Sequence, residues 1–231
     1  MFNLTISISL AFLLAGPASA NVIAVHTGAA DPTSEGFVFS NTGTPVLSDL
    51  GFDAWQYAGC GCPTDYHSGP LTAQQKADAF AYGWELDLRA RLPQNDNVLF
   101  GNVDFGNVRY DINLILSPGG SLTVNLNNFG TGPSYTYLVP GSGSAYHLYT
   151  MLYDPGSASA SFQVDGTTVL TGYTGHNLSL NDLGLWFGTV GGSNGPGNFN
   201  LVSLQVDTPE PASVFTLGIG IFCMIIVRRA R

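Results

Sequence analysis

Basic side chains are nearly missing from this sequence until its very end. Ahead of position 228 only Lys76, Arg89, Arg91 and Arg109 carry positive charge, against sixteen acidic residues in the chain. That balance repels phosphate backbones and excludes a nucleic-acid partner. Charged residues make up only 10% of the chain, while 29 Gly and 13 Pro mark it as turn-rich rather than helical. Aromatics at 12% supply ample apolar surface to bury, which excludes a disordered chain. Catalytic motifs are missing as well. His26, His67, His147 and His176 are scattered, with no nucleophile elbow, His-x-x-x-His pair or phosphate loop beside them. The glycine-rich "GTVGGSNGPGN" joins two strands and precedes no helix, so it lacks the dipole and amides that hold phosphate.

What is present is a period of two. In "WELDLRARL", Trp84, Leu86, Leu88, Ala90 and Leu92 share one face, and Glu85, Asp87, Arg89 and Arg91 the other. "VRYDINLIL" points Val108, Tyr110, Ile112, Leu114 and Leu116 inward in the same way. "SLTVNLN", "AYHLYTMLYD", "SASFQVDG", "TTVLTGY", "LGLWFGTV" and "FNLVSLQV" follow, each bounded by turn residues. Asp165-Gly166 predicts a two-residue type I′ hairpin, because that turn needs positive φ at both central positions. One helix is expected in "LTAQQKADAFAYG", opened by a Thr72/Gln75 capping box and stopped at Gly83. Many strands with one short helix predict an all-β fold, an antiparallel sandwich. The same alternation assigns Trp84 and Trp186 to the core and turns His147 away from it.

The two ends differ from this body. Residues 1–20 hold an apolar stretch closed by Ala18-Ser19-Ala20, the pattern of a signal peptide cut before Asn21, although no Lys or Arg stands in it. At the other end, Ala212 to Val227 is an uncharged run of sixteen residues. As a helix it would reach roughly 24 Å, and it can span a hydrocarbon core of about 30 Å if the arginines beyond it extend to the head groups. Physics alone gives a plain single-pass anchor with its tail in the cytoplasm. Pro209-Glu210-Pro211, the apolar run and the cluster Arg228, Arg229 and Arg231 together resemble the PEP-CTERM sorting signal of bacterial exported proteins. The resemblance covers residues 207–231. It implies an exosortase as partner and a transient inner-membrane anchor through the C-terminal helix. The chain would be cut near Pro-Glu-Pro, then released or attached to polymer at the cell surface. No regular Thr-rich repeat supports ice binding.

The body, from about Asp31 to Val206, resembles the concanavalin A-like lectin/glucanase jelly roll in its laminin-G or sialidase-associated form. The residues that carry this are "DPTSEGF", "GWELDLRARL", "YHLYTMLYDPGSASASFQVDGTTVLTGYTG", "LGLWFGT" and "NFNLVSLQV". The likeness implies architecture and an expectation that the body binds extracellular polysaccharide. Glucanases of that superfamily carry Glu-x-Asp and a further Glu on one strand. Here Glu85-Leu86-Asp87 supplies two carboxylates roughly 7 Å apart on one face. Leu88, Arg89 and Ala90 follow, so a cation replaces the third. The expectation is a non-catalytic module; a purely structural matrix protein and a hydrolase using Glu85 and Asp87 are the alternatives. Stacking platforms for sugar rings are sought in the irregular first third, at Trp55, Tyr57, Tyr66 and Tyr82. Cys60-Gly61-Cys62 allows a structural disulfide clip, a redox-labile bridge or half a metal site. Two thiols and His67 leave a metal short of a ligand, so no metal centre is assigned. Cys223 lies in the apolar run. No cofactor is expected, apart from Ca²⁺ as an option at Asp154 and Asp165, which serve equally as turn formers.

Overall fold

The computed structural model describes residues 19–39, 43–57, 64–94, 97–126, 135–140, 144–177, 182–189 and 196–208. Ala18, Cys60, Cys62 and everything from Pro209 onward, the sorting motif and Cys223 included, lie outside the described residues. The first third holds β1 (Ser19–Thr27), β2 (Val38–Phe39), β3 (Gly43–Asp49), β4 (Phe52–Tyr57) and β5 (Thr64–His67). Helix α1 (Ala73–Tyr82) leads into β6 (Trp84–Arg91), β7 (Asn97–Asp104), β8 (Arg109–Leu116), β9 (Leu122–Asn125) and β10 (Thr136–Leu138). The last third adds β11 (His147–Asp154), β12 (Ser159–Val164), β13 (Thr167–Tyr173), β14 (Gly184–Thr189) and β15 (Gly197–Thr208). A 3-10 turn at Pro32–Glu35 is capped by the Asp31 carboxylate, which accepts from Thr33 N.

These strands form two antiparallel sheets packed face to face. One has eight strands in the order β13-β12-β11-β6-β15-β4-β3, with β1 also paired to β15. The other has seven, in the order β10-β9-β8-β7-β14-β5-β2. Consecutive strands that change sheet are what make a jelly roll rather than a meander: β6 and β7, for example, lie in opposite layers. The core fills the space between. Trp84, Leu86, Leu88 and Ala90 of β6 are buried in strict alternation. They face Leu99 and Val103 of β7, Tyr110, Ile112 and Leu114 of β8, and Leu185 and Phe187 of β14. The sheets approach so closely at Gly101 that a Cβ there would stand 3.0 Å from Leu88 Cδ2, so a side chain on β7 at this point would push the layers apart.

The local signals formed as expected. Asp165 and Gly166 have φ of 49° and 77°, and Val164 pairs with Thr167 across them. Thr72 and Gln75 close their capping box from both sides, at 3.2 and 2.8 Å. Helix α1 closes one end of the sandwich: Phe80 lies 4.9 Å from Phe105 and 5.5 Å from Tyr153, whose ring stacks on Trp84. β1 pairs with the Leu201–Thr208 part of β15, Ser19 with Thr208, Ala20 with Asp207 and Asn21 with Val206. Strand pairing therefore runs through the expected cleavage point between Ala20 and Asn21.

Candidate functional site

Each sheet has an outer face, and the two differ in kind. On the eight-stranded sheet, Glu85, Asp87, Arg89 and Arg91 of β6 alternate outward, as the sequence suggests. Thr150 donates to Asp87 at 2.6 Å, and Arg89 donates to Asn200 at 3.3 Å. Arg91 holds Asp49 in a two-pronged contact of 2.7 and 2.6 Å, and Asp49 also accepts from Tyr146 and Asn198. Burial works to raise the Asp49 carboxyl, but the hydrogen bonds from Arg91, Tyr146 and Asn198 and the Arg91 charge outweigh it and hold the group below its usual range. Glu85 is moved the other way. Burial first, then the charge and a hydrogen bond of Asp87, then the charge of Asp207, push it up to about 7. Asp87 thus adds its charge to burial in disfavouring the ionised form of Glu85. Paired carboxylates that cleave glycosides stand about 5–5.5 Å apart, or further, with the sugar between them.

The outer face of the seven-stranded sheet is buried, and it is polar. β8 is covered on both sides: Arg109, Asp111 and Asn113 point away from the core and yet are as buried as Ile112. The pairing register sets Asp104 opposite Arg109, Asn102 opposite Asp111 and Phe100 opposite Asn113. On the other flank, Trp186 of β14 stands beside Asn102 and Gly184 beside Asp104. These residues therefore form one contiguous polar layer. Gly184 is required there, because a Cβ would stand 2.2 Å from Gly69 O and φ is +68°. His176 joins the layer through a bridge to Arg109, in which each backbone N–H donates to the other's carbonyl at 3.0 Å.

This layer holds polar atoms of both kinds without hydrogen-bond partners, the nitrogens being Arg109 Nε and His176 Nδ1 and Nε2. Asn102 Oδ1, Asp104 Oδ2, Asp111 Oδ1 and Asn113 Oδ1 are buried without a hydrogen-bond partner. Arg109 Nε lies 2.6 Å from Asp111 Oδ1 and His176 Nε2 lies 3.0 Å from Asp111 Oδ2, yet neither contact is directed as a hydrogen bond. The Arg109 contact is one of charge, and Arg109 Nη2 also donates to Asp111 Oδ2 at 3.3 Å. An unmet buried polar group costs about 1–3 kcal/mol, more when charged, so several in one layer are a large outlay for a structural face. Trp186 lies at the partly exposed edge, its Nε1 donating to Asp65 at 2.5 Å. Arg109 lies over its ring at 5.6 Å and Phe100 meets it edge-on at 4.8 Å.

Several sequence-based expectations need correction. Trp55, Tyr57 and Tyr66 are not platforms on the surface. β4 and β5 belong to opposite sheets, so their aromatic side chains meet in the core, where Trp55 Nε1 donates to the Tyr66 hydroxyl. Only Tyr82 of the four is exposed, at the end of α1, with no aromatic partner recorded. Trp186 is not core; Leu185 and Phe187 on either side fill the inner face and force it outward. His147 faces the same side as Ala90, which is the core side, and contacts Asp165 at 2.7 Å. Asp154 and Asp165 cannot share a cation, since they cap opposite ends of β12 and accept from Gly156 N and Leu148 N. Among the described residues, no three His, Cys, Asp or Glu side chains gather as a metal site, and no helix is long and apolar enough to cross a membrane. Asn102, Asp104, Asp111, Asn113 and His176 were not anticipated as a site. The alternation of polar residues in "RYDINLIL" and "LFGNVDF" places them outward, but nothing in it says that this outer face is covered.

No protein-family model matches the chain, and no curated protein matches it. Solved structures do. A carbohydrate esterase from the Shiga toxin-encoding bacteriophage phi24B superposes with a TM-score of 0.63 at 10% identity, over 82% of this chain and 100% of that one. A protein of unknown function from Shewanella oneidensis gives 0.53 at 12% identity, over 91% and 92% of the two chains. The transglycosylase Crh5, in complex with NAG, gives 0.52 at 12% identity, over 84% and 86%. What is shared is the fold. At such identities no residue of those proteins transfers to this chain.

Proposed function

We propose that this chain is an exported bacterial surface or extracellular-matrix protein whose β-sandwich binds glycan without cleaving it. The observation that carries the binding reading is Trp186, partly exposed on the outer face of the seven-stranded sheet, whose ring is the candidate stacking face for a pyranose. A fold shared with a carbohydrate esterase and with a transglycosylase in complex with NAG supports glycan as the ligand class. Arg89 stands where the glucanase resemblance calls for a third carboxylate on β6, which favours binding over hydrolysis. The sorting part rests on the leader and on the Pro209-to-Arg231 tail. It makes the inner membrane a way station, an exosortase the processing partner and the cell surface or surrounding polysaccharide the destination.

A glycan array probed with the exported protein tests the body. Binding to at least one polysaccharide is expected, and Trp186→Ala should weaken it by about tenfold or more, as loss of one stacking face does. Retention of full affinity in Trp186→Ala moves the site elsewhere. Silence across the whole array leaves the structural matrix reading in its place. Release of reducing sugar that is lost in Glu85→Gln would instead make the protein a hydrolase.

A further inference from the structure

Trp186 is held from three sides by residues of three other strands. Its Nε1 donates to Asp65 of β5 at 2.5 Å, the guanidinium of Arg109 on β8 lies over the ring at 5.6 Å, and Phe100 of β7 meets it edge-on at 4.8 Å. Arg109 and Phe100 are buried, whereas the tryptophan is partly exposed, so solvent reaches the indole from the side away from the guanidinium. A ring fixed in this way has already given up the freedom that a ligand would otherwise have to remove.

Asp65 shares the outer face of β5 with His67, because Tyr66 between them is core. The register sets His67 directly opposite Trp186, and cross-strand neighbours stand about 4.5–5.5 Å apart at Cβ, so a sugar stacked on the indole lies within reach of the imidazole. His67 is partly exposed. Its Nδ1 is buried and its Nε2 is not, and neither makes a hydrogen bond among the described residues. A hydroxyl both donates and accepts, so it can meet that open nitrogen in either tautomer of the ring. Charge narrows the ligand further. Arg109 already engages one π face, which leaves the other less attractive to an ammonium. The chain is acidic, with a formal charge of −9, and Asp65 stands at the ring nitrogen, which disfavours a uronate. We propose that Asp65 and His67 complete the Trp186 site for a neutral sugar. Asp65 is a positioning residue that fixes the indole for stacking, and His67 Nε2 bonds a hydroxyl of the sugar stacked on it. This deepens the glycan-binding reading above and rests on it.

Titration calorimetry of the exported protein with short oligomers of glucose, galactose, mannose, glucosamine and galacturonic acid tests it, with the indole N–H resonances followed by NMR. A neutral oligomer should bind about tenfold tighter than either charged one and should move the Trp186 resonance, which is the signal missing in Trp186→Phe. Asp65→Leu should weaken binding about five- to tenfold and shift that resonance in the free protein. Asp65→Asn, whose amide oxygen still accepts, should keep affinity and resonance close to those of the unaltered protein. His67→Ala should weaken binding about two- to tenfold and leave the free resonance in place. Full affinity in Asp65→Leu or in His67→Ala overturns the proposal. So does loss of affinity in Asp65→Asn, equal or tighter binding of a charged oligomer, or a Trp186 resonance that bound sugar does not move. Selectivity and the ligand-induced shift are read on unaltered protein, so the result stands even if Asp65→Leu does not fold. Binding that Trp186→Ala abolishes but that is indifferent to Asp65 and His67 sinks this inference only. Binding to none of the oligomers overturns it as well, and silence across the glycan array sinks the glycan reading with it.

Discussion

Glu85 and Asp49 lie on the same outer face and carry opposite consequences for stability against pH. Glu85 is pushed up to about 7 in the folded chain, first by burial and then by Asp87 and Asp207, from an ordinary value of 4.5. Its protonated form favours folding, so that contribution is complete below about pH 4.5 and is lost as pH rises through 7. Asp49 is held below its usual 3.8, so what it contributes is present above that value and lost as pH falls through its lowered one. Thermal unfolding followed across pH should therefore show a melting temperature that declines between pH 5 and 8 and collapses on a separate acid limb. Glu85→Gln should flatten the neutral decline and leave the acid limb alone. Asp49→Asn should do the reverse. It should also cost about 1–3 kcal/mol near neutral pH, a cost that fades on the acid limb, since Arg91, Tyr146 and Asn198 all converge on the ionised carboxylate. An unchanged neutral slope in Glu85→Gln would mean that Glu85 is not the group titrating there.

At the scale of elements, the hairpin between β12 and β13 shows how a local signal becomes a fixed register. Gly166 has φ of +77° and open space where a Cβ would go, so Gly166→Ala meets no clash and isolates the conformational cost alone. That cost is about 1 kcal/mol, or about 2–4 °C in melting temperature for a domain of this size. A drop much larger than that would mean the turn is nucleating the sheet rather than only closing it. This hairpin, the α1 capping box and the alternation of β6 were legible because each is decided by neighbours within a few positions. β2 to β5 were not, since Gly, Pro and Cys interrupt the pattern there and β4 buries two residues in a row, Ala54 and Trp55. Aromatics in such a stretch look available for stacking, and only the crossing of β4 and β5 into different sheets shows that they are core. Trp186 is different, because its outward direction is implicit in Leu185 and Phe187. The polar layer was half legible: a period of two assigns Asp111 and Asn113 to a face, whereas whether that face is wet or covered depends on residues far away in the chain.

For the whole molecule, what matters is where the ends of the body lie. β1 runs antiparallel to β15, so Ala20 and Asn21 stand across from Asp207 and Val206 at one edge of the eight-stranded sheet. Both segments assigned to export, the leader before Asn21 and the tail from Pro209, therefore join the sandwich at the same place. Loss of the leader keeps the β1 pairing from Asn21 to Thr27, and a cut at Pro209-Glu210-Pro211 falls just past the last paired residue, Thr208. Processing at both ends would give up the Ser19–Thr208 and Ala20–Asp207 pairs and keep the ladder from Asn21–Val206 to Thr27–Leu201. Intact-mass spectrometry of the exported protein should accordingly give a species beginning at Asn21 and ending within a few residues of Pro211, and replacement of Pro209-Glu210-Pro211 by alanines should leave the full tail attached and the protein in the membrane. If wild-type protein outside the cell instead weighs in with Arg228, Arg229 and Arg231 still present, the tail is a permanent anchor and the sandwich acts from the membrane surface.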